Sequence, residues 1–139
     1  MALTAKRLEF EVAVARSGAL DARGSSVELP SGWTAEHLLM AALVRCSITS
    51  LRYHARRAGI EAEASGTARG LVTKRDDDGR YAFVEADVSL EAELAPEPEK
   101  PETKALLAKA ERDCFISASL RIEPRYRWRV NGRAVSPAG

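Results

Sequence analysis

Two cysteines are the residues whose chemistry first stands out in this sequence. Cys46 and Cys114 lie far apart in a chain of 139 residues. Folding can turn such a pair into a redox-active disulfide if it brings the two Cα atoms within about 7 Å of each other. The same two residues can instead be small buried hydrophobes, which is a common role for unpaired cysteines. Counting alone favours the second interpretation and leaves both open.

Other cofactor chemistry has little support in the sequence. Two cysteines cannot make a zinc site by themselves, and neither His37 nor His54 is spaced to complete one. The sequence also lacks a glycine-rich phosphate-binding loop and a cluster of metal-ligating side chains. We therefore expect no metal site and no bound nucleotide or flavin.

Hydrophobic periodicity places both cysteines on helices. Thr34 is a suitable N-cap, apolar residues then recur at helical spacing to about Arg57, and Gly59 ends the helix. Cys46 lies in the middle of this helix on its apolar side. A second helix over residues 102–113 places Cys114 at its C-terminal end, also facing inward. The two thiols can therefore meet if the helices pack together.

The remaining pattern predicts strands. Alternation is typical of strands over residues 7–15, 26–29, 60–73, 82–94 and 120–130, with a hairpin turn at 76–79. A turn at Asn131–Gly132 and a loose tail follow. Hairpins without repeated βαβ spacing indicate an α+β fold with a mainly antiparallel sheet.

Composition narrows the class of protein. The chain has the size of one domain, residues 1–139, and carries a net charge of +1. This charge excludes a strongly basic nucleic-acid-binding protein, and no apolar run approaches the ~20 residues of a membrane helix. The first residues lack the apolar segment of a signal peptide, so we expect a cytoplasmic protein that binds neither nucleic acid nor membrane.

Two segments resemble the OsmC/Ohr family of osmotically inducible and organic hydroperoxide resistance proteins. Residues 34–46, TAEHLLMAALVRC, are similar to the family's helix motif P-E-x-L-(x)-A-A-x-x-x-C, with Glu36 at the place of the glutamate. Residues 114–120, CFISASL, are similar to its second motif, C-P-x-S-x-(S/A)-L. The resemblance covers nearly the whole chain, and the order of strands and helices agrees with it.

The resemblance implies both a fold and an activity. The implied fold is an intertwined α+β homodimer whose sheets wrap around two core helices and whose two sites lie at the interface. The implied activity is that of an organic hydroperoxide reductase in the oxidative stress response. In this mechanism Cys46 attacks the peroxide and becomes a sulfenic acid, which Cys114 converts to a disulfide. An external dithiol reductant, such as a protein-bound lipoyl group, then restores both thiols, so no resident cofactor is implied.

The peroxidatic cysteine needs activation. Only the thiolate is strongly nucleophilic, the pKa of a free thiol is ~8.5, and burial raises it further. Family members use an arginine after the first strand, held by the glutamate that corresponds to Glu36. Arg16 is the best match here and Arg23 the alternative, although Ala15-Arg16-Ser17-Gly18 departs from the family's G-R-D-G.

A pocket of Trp33, Leu39, Leu43 and Phe115 is the expected substrate site, and its apolar walls favour an alkyl hydroperoxide over hydrogen peroxide. Two other interpretations stay open. The uncertain arginine allows a non-catalytic OsmC-like homodimer that binds a small apolar ligand or senses redox state. The cysteines can also be inert core residues.

Overall fold

The computed structural model describes residues 5–137. The chain forms two compact units, an N-terminal unit that ends at Thr34 and a C-terminal unit that begins at Ala35. Each unit is described by itself below. That residues 1–139 form a single domain stays a prediction, and residues 1–4 and 138–139 lie outside the described part.

The N-terminal unit is a meander of three short antiparallel strands: β1 (Ala13–Val14), β2 (Leu20–Ala22) and β3 (Ser25–Val27). The turn between β2 and β3 passes through Arg23 and Gly24, which have φ angles of 53° and 79°. Glycine adopts this left-handed conformation without steric cost, which makes the tight turn possible.

The expected strand over residues 7–15 is wrong for most of its length, since only Ala13–Val14 pairs. Leu8, Phe10 and Val12 are 59%, 85% and 60% exposed. Alternation predicts a strand that buries one face, and within residues 5–34 nothing covers that face. The strand expected at 26–29 lies at Ser25–Val27, and β2 lies between the two expected strands, where no strand was predicted.

The C-terminal unit opens with the long helix α1 (Ala35–Arg57). It begins directly after Thr34 and ends before Gly59, whose φ is 75°, so the predicted bounds are confirmed. The buried residues of α1 recur at steps of three and four and form one face: Leu43, Ser47, Ser50, Leu51 and Ala55. Two of these buried residues, Ser47 and Ser50, are polar.

A long hairpin follows, made of β4 (Glu61–Lys74) and β5 (Tyr81–Ala95) in antiparallel register, with a β-bulge at Leu71/Val72. The predicted alternation in β5 is confirmed. Its even positions from Ala86 to Leu94 are buried, whereas Glu85, Glu91 and Glu93 face outward. Together these positions supply much of the core.

The chain returns to the sheet through two helices, α2 (Lys100–Arg112) and α3 (Phe115–Ser119), which lead to β6 (Arg125–Val130) and β7 (Arg133–Val135). The sheet order is β4-β5-β6-β7, and β5 pairs with β6 in parallel. The fold is thus α+β as expected, with one parallel pairing in a mainly antiparallel sheet. Parallel neighbours need a crossover connection, which the two helices provide.

Two expectations about this region are wrong. The last strand begins at Arg125 rather than at Leu120, because part of the preceding segment forms the unpredicted helix α3. The expected loose tail contains β7, which folds back on β6 after the turn at Asn131–Gly132. The expected second helix is confirmed to within two residues at its start and one at its end, since α2 spans Lys100–Arg112 with Asp113 as its C-cap, and Cys114 follows directly after that cap.

Helix α1 contacts β4, α2 and α3. Gly70 in β4 permits close packing on one side: a Cβ there would lie 2.4 Å from Phe83 Cε1 and 2.9 Å from Met40 Sδ of α1. No helix in residues 5–137 is both long and apolar enough to cross a membrane.

Candidate functional site

Two free thiols from different elements meet at one point of the C-terminal unit. Cys46 lies in the middle of α1 and is half-buried, while Cys114 lies between α2 and α3 and is fully buried. The two side chains line the same cavity, and Cys114 is close enough to raise the pKa of the Cys46 thiol. Rather than ending α2, Cys114 is the N-cap of α3, and its Sγ accepts a hydrogen bond of 3.4 Å from the Ser117 N–H.

The surroundings of Cys46 raise the pKa of its thiol. Burial is the largest cause, and the neighbouring Cys114 adds to it. The backbone N–H groups of Ile116 and Phe115 donate to the sulfur and act in the opposite direction, but burial outweighs them. The residues of the C-terminal unit therefore favour the neutral thiol, and an active nucleophile needs a further positive charge.

An open cavity of about 510 Å³ lies in front of the thiols. Its walls are Cys46, Thr49, Ser50, Tyr53, His54, Arg112, Asp113, Cys114, Phe115 and Ala118. Of the expected pocket residues, Phe115 lies here. Leu39 and Leu43 are outside this lining, and Leu43 is fully buried in the core. Trp33 belongs to the N-terminal unit, and its expected place in the pocket stays a prediction.

A histidine–aspartate pair borders the same cavity. His54 Nε2 lies 2.8 Å from Asp113 Oδ2, and the His54 side chain is 15% exposed. This contact joins the second half of α1 to the residue that ends α2 and precedes Cys114. No sequence motif indicates this pair, although His54 lies on the same helical stripe as Cys46 and Ser50.

A buried chain of hydroxyl groups lies behind Cys114. Ser47 Oγ is 3.7 Å from Cys114 Sγ and 2.9 Å from Tyr126 Oη, and it also lies 2.8 Å from the Leu43 carbonyl oxygen. Burial raises the pKa of Tyr126 to about 12 even though the hydrogen bond with Ser47 lowers it. Periodicity placed Tyr126 on the inner face of its strand, but no motif indicated a role for it or for Ser47.

The expected activating residues are placed apart from the thiols along the chain. Glu36 is exposed in the first turn of α1, about 15 Å from Cys46 along the helix axis at 1.5 Å per residue. Its expected effect on Cys46 therefore needs an arginine between them. Arg16 and Arg23 are exposed in the N-terminal unit, and the role of either stays a prediction.

In residues 5–137, no group of three or more His, Cys, Asp or Glu side chains could hold a metal ion.

A family model, OsmC, described as OsmC-like protein, matches residues 28–129. No curated protein matches the chain.

Solved structures share the fold. An OsmC-like protein from Mycoplasma pneumoniae is 13% identical, with a TM-score of 0.68 over 91% of this chain and 99% of that chain. An organic hydroperoxide resistance protein from Legionella pneumophila is 20% identical, with a TM-score of 0.55 over 92% of this chain and 98% of that chain. The organic hydroperoxide resistance protein of Bacillus subtilis is 16% identical, with a TM-score of 0.55 over 88% and 96%. At these identities the likeness shows the fold alone.

Ser50 yields a test of the site. It is 8% exposed, it lines the cavity one turn after Cys46, and among the described residues its hydroxyl has no hydrogen-bond partner. An unpaired buried hydroxyl destabilises a fold by about 1–3 kcal/mol. We expect Ser50→Ala to raise the free energy of unfolding by about 1 kcal/mol or more, measured by urea denaturation.

Ser47→Ala is the matched comparison on the same helix face. Because the Ser47 hydroxyl is fully bonded, its removal should lower the free energy of unfolding by about 1–3 kcal/mol. Equal effects of the two substitutions on the free energy of unfolding would contradict the assignment of the Ser50 hydroxyl as unpaired.

Proposed function

The chain belongs to the OsmC family, and from this premise we propose that it is a thiol-dependent peroxidase that reduces organic hydroperoxides to alcohols. The observation that carries the proposal is the meeting of Cys46 and Cys114, two free thiols from separate helical elements, at the wall of one open cavity. A redox or peroxide-resistance role agrees with the family and with the named activity of the structural neighbours.

The first step takes place at Cys46, which is the half-buried thiol of the pair. Its thiolate attacks one oxygen of the hydroperoxide O–O bond, and the sulfur becomes a sulfenic acid. The other oxygen leaves with the alkyl group and takes up a proton to form the alcohol. The sulfur is thereby oxidised by two electrons and the peroxide reduced by two.

The second step uses Cys114. Its sulfur attacks the Cys46 sulfenic acid, a disulfide forms, and the hydroxyl leaves as water. A nearby second thiol stops the sulfenic acid from reaching irreversible oxidation states. An external dithiol then reduces the disulfide to two thiols and becomes a disulfide itself. The cytoplasm, where such reductants are maintained, is the compartment that this cycle needs.

Cavity chemistry supports an organic substrate. Tyr53, Phe115 and Ala118 present apolar surface next to the thiols, and Phe115 is 58% exposed. Burying an alkyl group against such surface gains free energy with each methylene, about 0.8 kcal/mol apiece. Hydrogen peroxide has no alkyl group and gains nothing from it.

Activation of Cys46 requires a cation, since burial raises the pKa of its thiol. We propose that Arg16, or Arg23 in its place, supplies the charge from the N-terminal unit and that Glu36 orients the guanidinium. Arg112 is the competing source, because it lines the cavity with a side chain that is 83% exposed.

We also propose that the chain works as a homodimer. Within the N-terminal unit, Leu8, Phe10, Val12 and Val14 are all at least 59% exposed, and they share the alternation of a half-buried strand. Such a row of exposed apolar side chains needs a partner surface to cover it. Family membership favours a second copy of the chain as that partner.

One observation favours a second candidate function. A Cys46 thiol whose pKa is raised, facing a partly apolar cavity, also suits a non-catalytic OsmC-like dimer that binds a small apolar ligand or senses redox state slowly. The experiments below separate the two functions.

The central test follows the loss of tert-butyl hydroperoxide with purified protein and excess dithiothreitol. We expect wild-type turnover and no turnover in Cys46→Ser. Without reductant, Cys114→Ser should stop at the Cys46 sulfenic acid, because the thiol that would convert it to a disulfide is missing. Mass spectrometry after one equivalent of peroxide should show a Cys46–Cys114 disulfide in the wild type. Absence of turnover in the wild type, or full activity in Cys46→Ser, contradicts the peroxidase proposal.

A second test identifies the activating cation through the rate of Cys46 alkylation as a function of pH. Removing the responsible guanidinium should move the alkylation profile to higher pH and lower the peroxide rate at pH 7 about tenfold or more. We expect this effect in Arg16→Ala or Arg23→Ala and not in Arg112→Ala. A shift confined to Arg112→Ala would instead place the cation on α2, and no shift in any variant would favour the ligand-binding function.

A third test concerns assembly. Light scattering should give twice the chain mass of 15.1 kDa for the wild type. Because Phe10 is 85% exposed in the single chain, Phe10→Glu should leave the C-terminal unit folded and shift the protein to a monomer. Lys6→Gln, which makes the same charge change of −1 at an exposed residue outside the apolar row, is the control. A monomeric wild type contradicts the dimer.

A further inference from the structure

Behind the thiol pair, the side chains of Ser47 and Tyr126 connect Cys114 to the sheet. We propose that these two residues form a hydrogen-bond relay that stabilises the sulfur of Cys114 whenever it carries negative charge. The inference rests on the proposed function, because it concerns the steps in which Cys114 gains or loses its bond to Cys46. Ser47 contacts the reacting sulfur. Tyr126 bonds Ser47 and also interacts electrostatically with Cys114, and we assign it a positioning role that it exerts through Ser47.

The contacts form one continuous line. Tyr126 Oη lies 2.9 Å from Ser47 Oγ, which lies 3.7 Å from Cys114 Sγ. Ser47 and Cys114 are both fully buried. The line joins β6 to α1 and then to the cap of α3, so its members come from three elements and their meeting is a product of tertiary packing.

The direction of the hydrogen bonds follows from the number of protons. Tyr126 keeps its proton throughout the neutral range, since burial raises its pKa to about 12, and it donates to Ser47 Oγ. The single hydroxyl proton of Ser47 then has two acceptors, the Leu43 carbonyl oxygen at 2.8 Å and Cys114 Sγ at 3.7 Å. A neutral thiol is a weak acceptor and a thiolate a strong one, so the proton turns from the carbonyl to the sulfur as charge develops.

A second donor points at the same sulfur. The Ser117 N–H lies 3.4 Å from Cys114 Sγ. Water is excluded from this fully buried atom, and the Ser47 hydroxyl and the Ser117 N–H are two donors that can replace hydration of the thiolate. The relay therefore matters most when the bond between the two sulfurs breaks.

Accessibility decides which sulfur leaves during reduction. Cys46 is half-buried at the cavity, whereas Cys114 is fully buried, so an external dithiol attacks Cys46 Sγ. The dithiol sulfur forms a bond to Cys46, the bond between Cys46 and Cys114 breaks, and its electron pair stays on Cys114 Sγ. The second thiol of the reductant then displaces Cys46, and protons from the two reductant thiols end on the two cysteines. Such exchange is faster when the leaving sulfur is better stabilised.

The experiment measures two rate constants on the full-length protein. One is the oxidation of Cys46 by tert-butyl hydroperoxide, and the other is the reduction of the Cys46–Cys114 disulfide by dithiothreitol. Rapid acid quench, alkylation and mass spectrometry report both. We expect Tyr126→Phe and Ser47→Ala each to lower the ratio of the reduction rate to the oxidation rate about tenfold or more.

A double variant tests whether Tyr126 acts through Ser47. If it does, the disulfide of the double variant Ser47→Ala/Tyr126→Phe should be reduced no more slowly than that of Ser47→Ala alone. Ser47→Ala already removes the hydroxyl through which Tyr126 acts. Independent, multiplicative slowing overturns the relay. Tyr126→Phe keeps the ring that stacks on Trp128, so it gives a result even if Ser47→Ala does not fold.

The pH dependence of disulfide formation is a further measurement, which a purely structural role of Tyr126 would leave unchanged. Attack of Cys114 on the Cys46 sulfenic acid needs the Cys114 thiolate, so loss of a donor should shift the rise of disulfide formation to higher pH. The titratable groups around Cys114 are Cys46 on α1, Tyr126 on β6, and the adjoining Asp113, which is paired with His54. Tyr126→Phe leaves the carboxylate, the imidazole and Cys46 in place, so a shift reports on the relay.

Two controls remove the same chemical groups elsewhere. Tyr81→Phe deletes the phenol hydroxyl of an exposed strand residue. Ser119→Ala deletes a serine hydroxyl that donates to the Phe115 carbonyl oxygen. Both should retain the wild-type ratio and pH profile. Wild-type behaviour of Tyr126→Phe, or slowing of both rate constants by the same factor, overturns the relay.

Failure of the proposed function can be told apart from failure of the relay. If peroxide yields no disulfide in the wild type, the peroxidase proposal falls, and diamide, a thiol oxidant, is used to make the same disulfide for the reduction assay. Slower reduction of that disulfide in Tyr126→Phe then still supports the relay. If diamide also yields no disulfide, the relay is overturned as well.

Discussion

The contact between the middle of α1 and the start of α3 is the interaction on which the site depends. It requires Cys114 to leave α2 and cap the next helix, so that the N–H groups of Phe115 and Ile116 turn toward Cys46. The His54–Asp113 pair joins α1 to the end of α2 one step earlier in the chain. Helix packing and side-chain pairing thus act together to bring two thiols to one wall of the cavity.

Burial serves the two thiols differently. At Cys114 it keeps the sulfur away from solvent, so that the neighbouring side chains are its surroundings. At Cys46 it opposes reactivity, because a low-dielectric environment disfavours the thiolate. Within the C-terminal unit the two thiols share one cavity wall, and Arg112 is a guanidinium that lines the same cavity.

Hydroxyl groups on the buried face of α1 divide into two kinds. Ser47 is fully bonded, between the Leu43 carbonyl and Tyr126, and its position beside Cys114 makes it a component of the thiol site. Ser50, one turn after Cys46, is buried without a partner among the described residues. The core face of a helix normally favours apolar side chains. Two buried serines beside two cysteines therefore indicate that packing is not the only requirement on this face.

The sequence by itself determined the elements whose patterns are local. Helical periodicity and Gly59 defined α1, strict alternation defined β5, and two short motifs around Cys46 and Cys114 identified the family that residues 28–129 match. The hydrophobic pattern could not predict the irregular structure that precedes β1. Alternation at Leu8 and Phe10 indicates an apolar face but does not identify what would cover it. Tertiary structure alone decided the rest. The parallel pairing of β5 with β6, the capping role of Cys114, and the line from Tyr126 through Ser47 all join residues distant in sequence, and only the packed chain brings them within hydrogen-bonding distance.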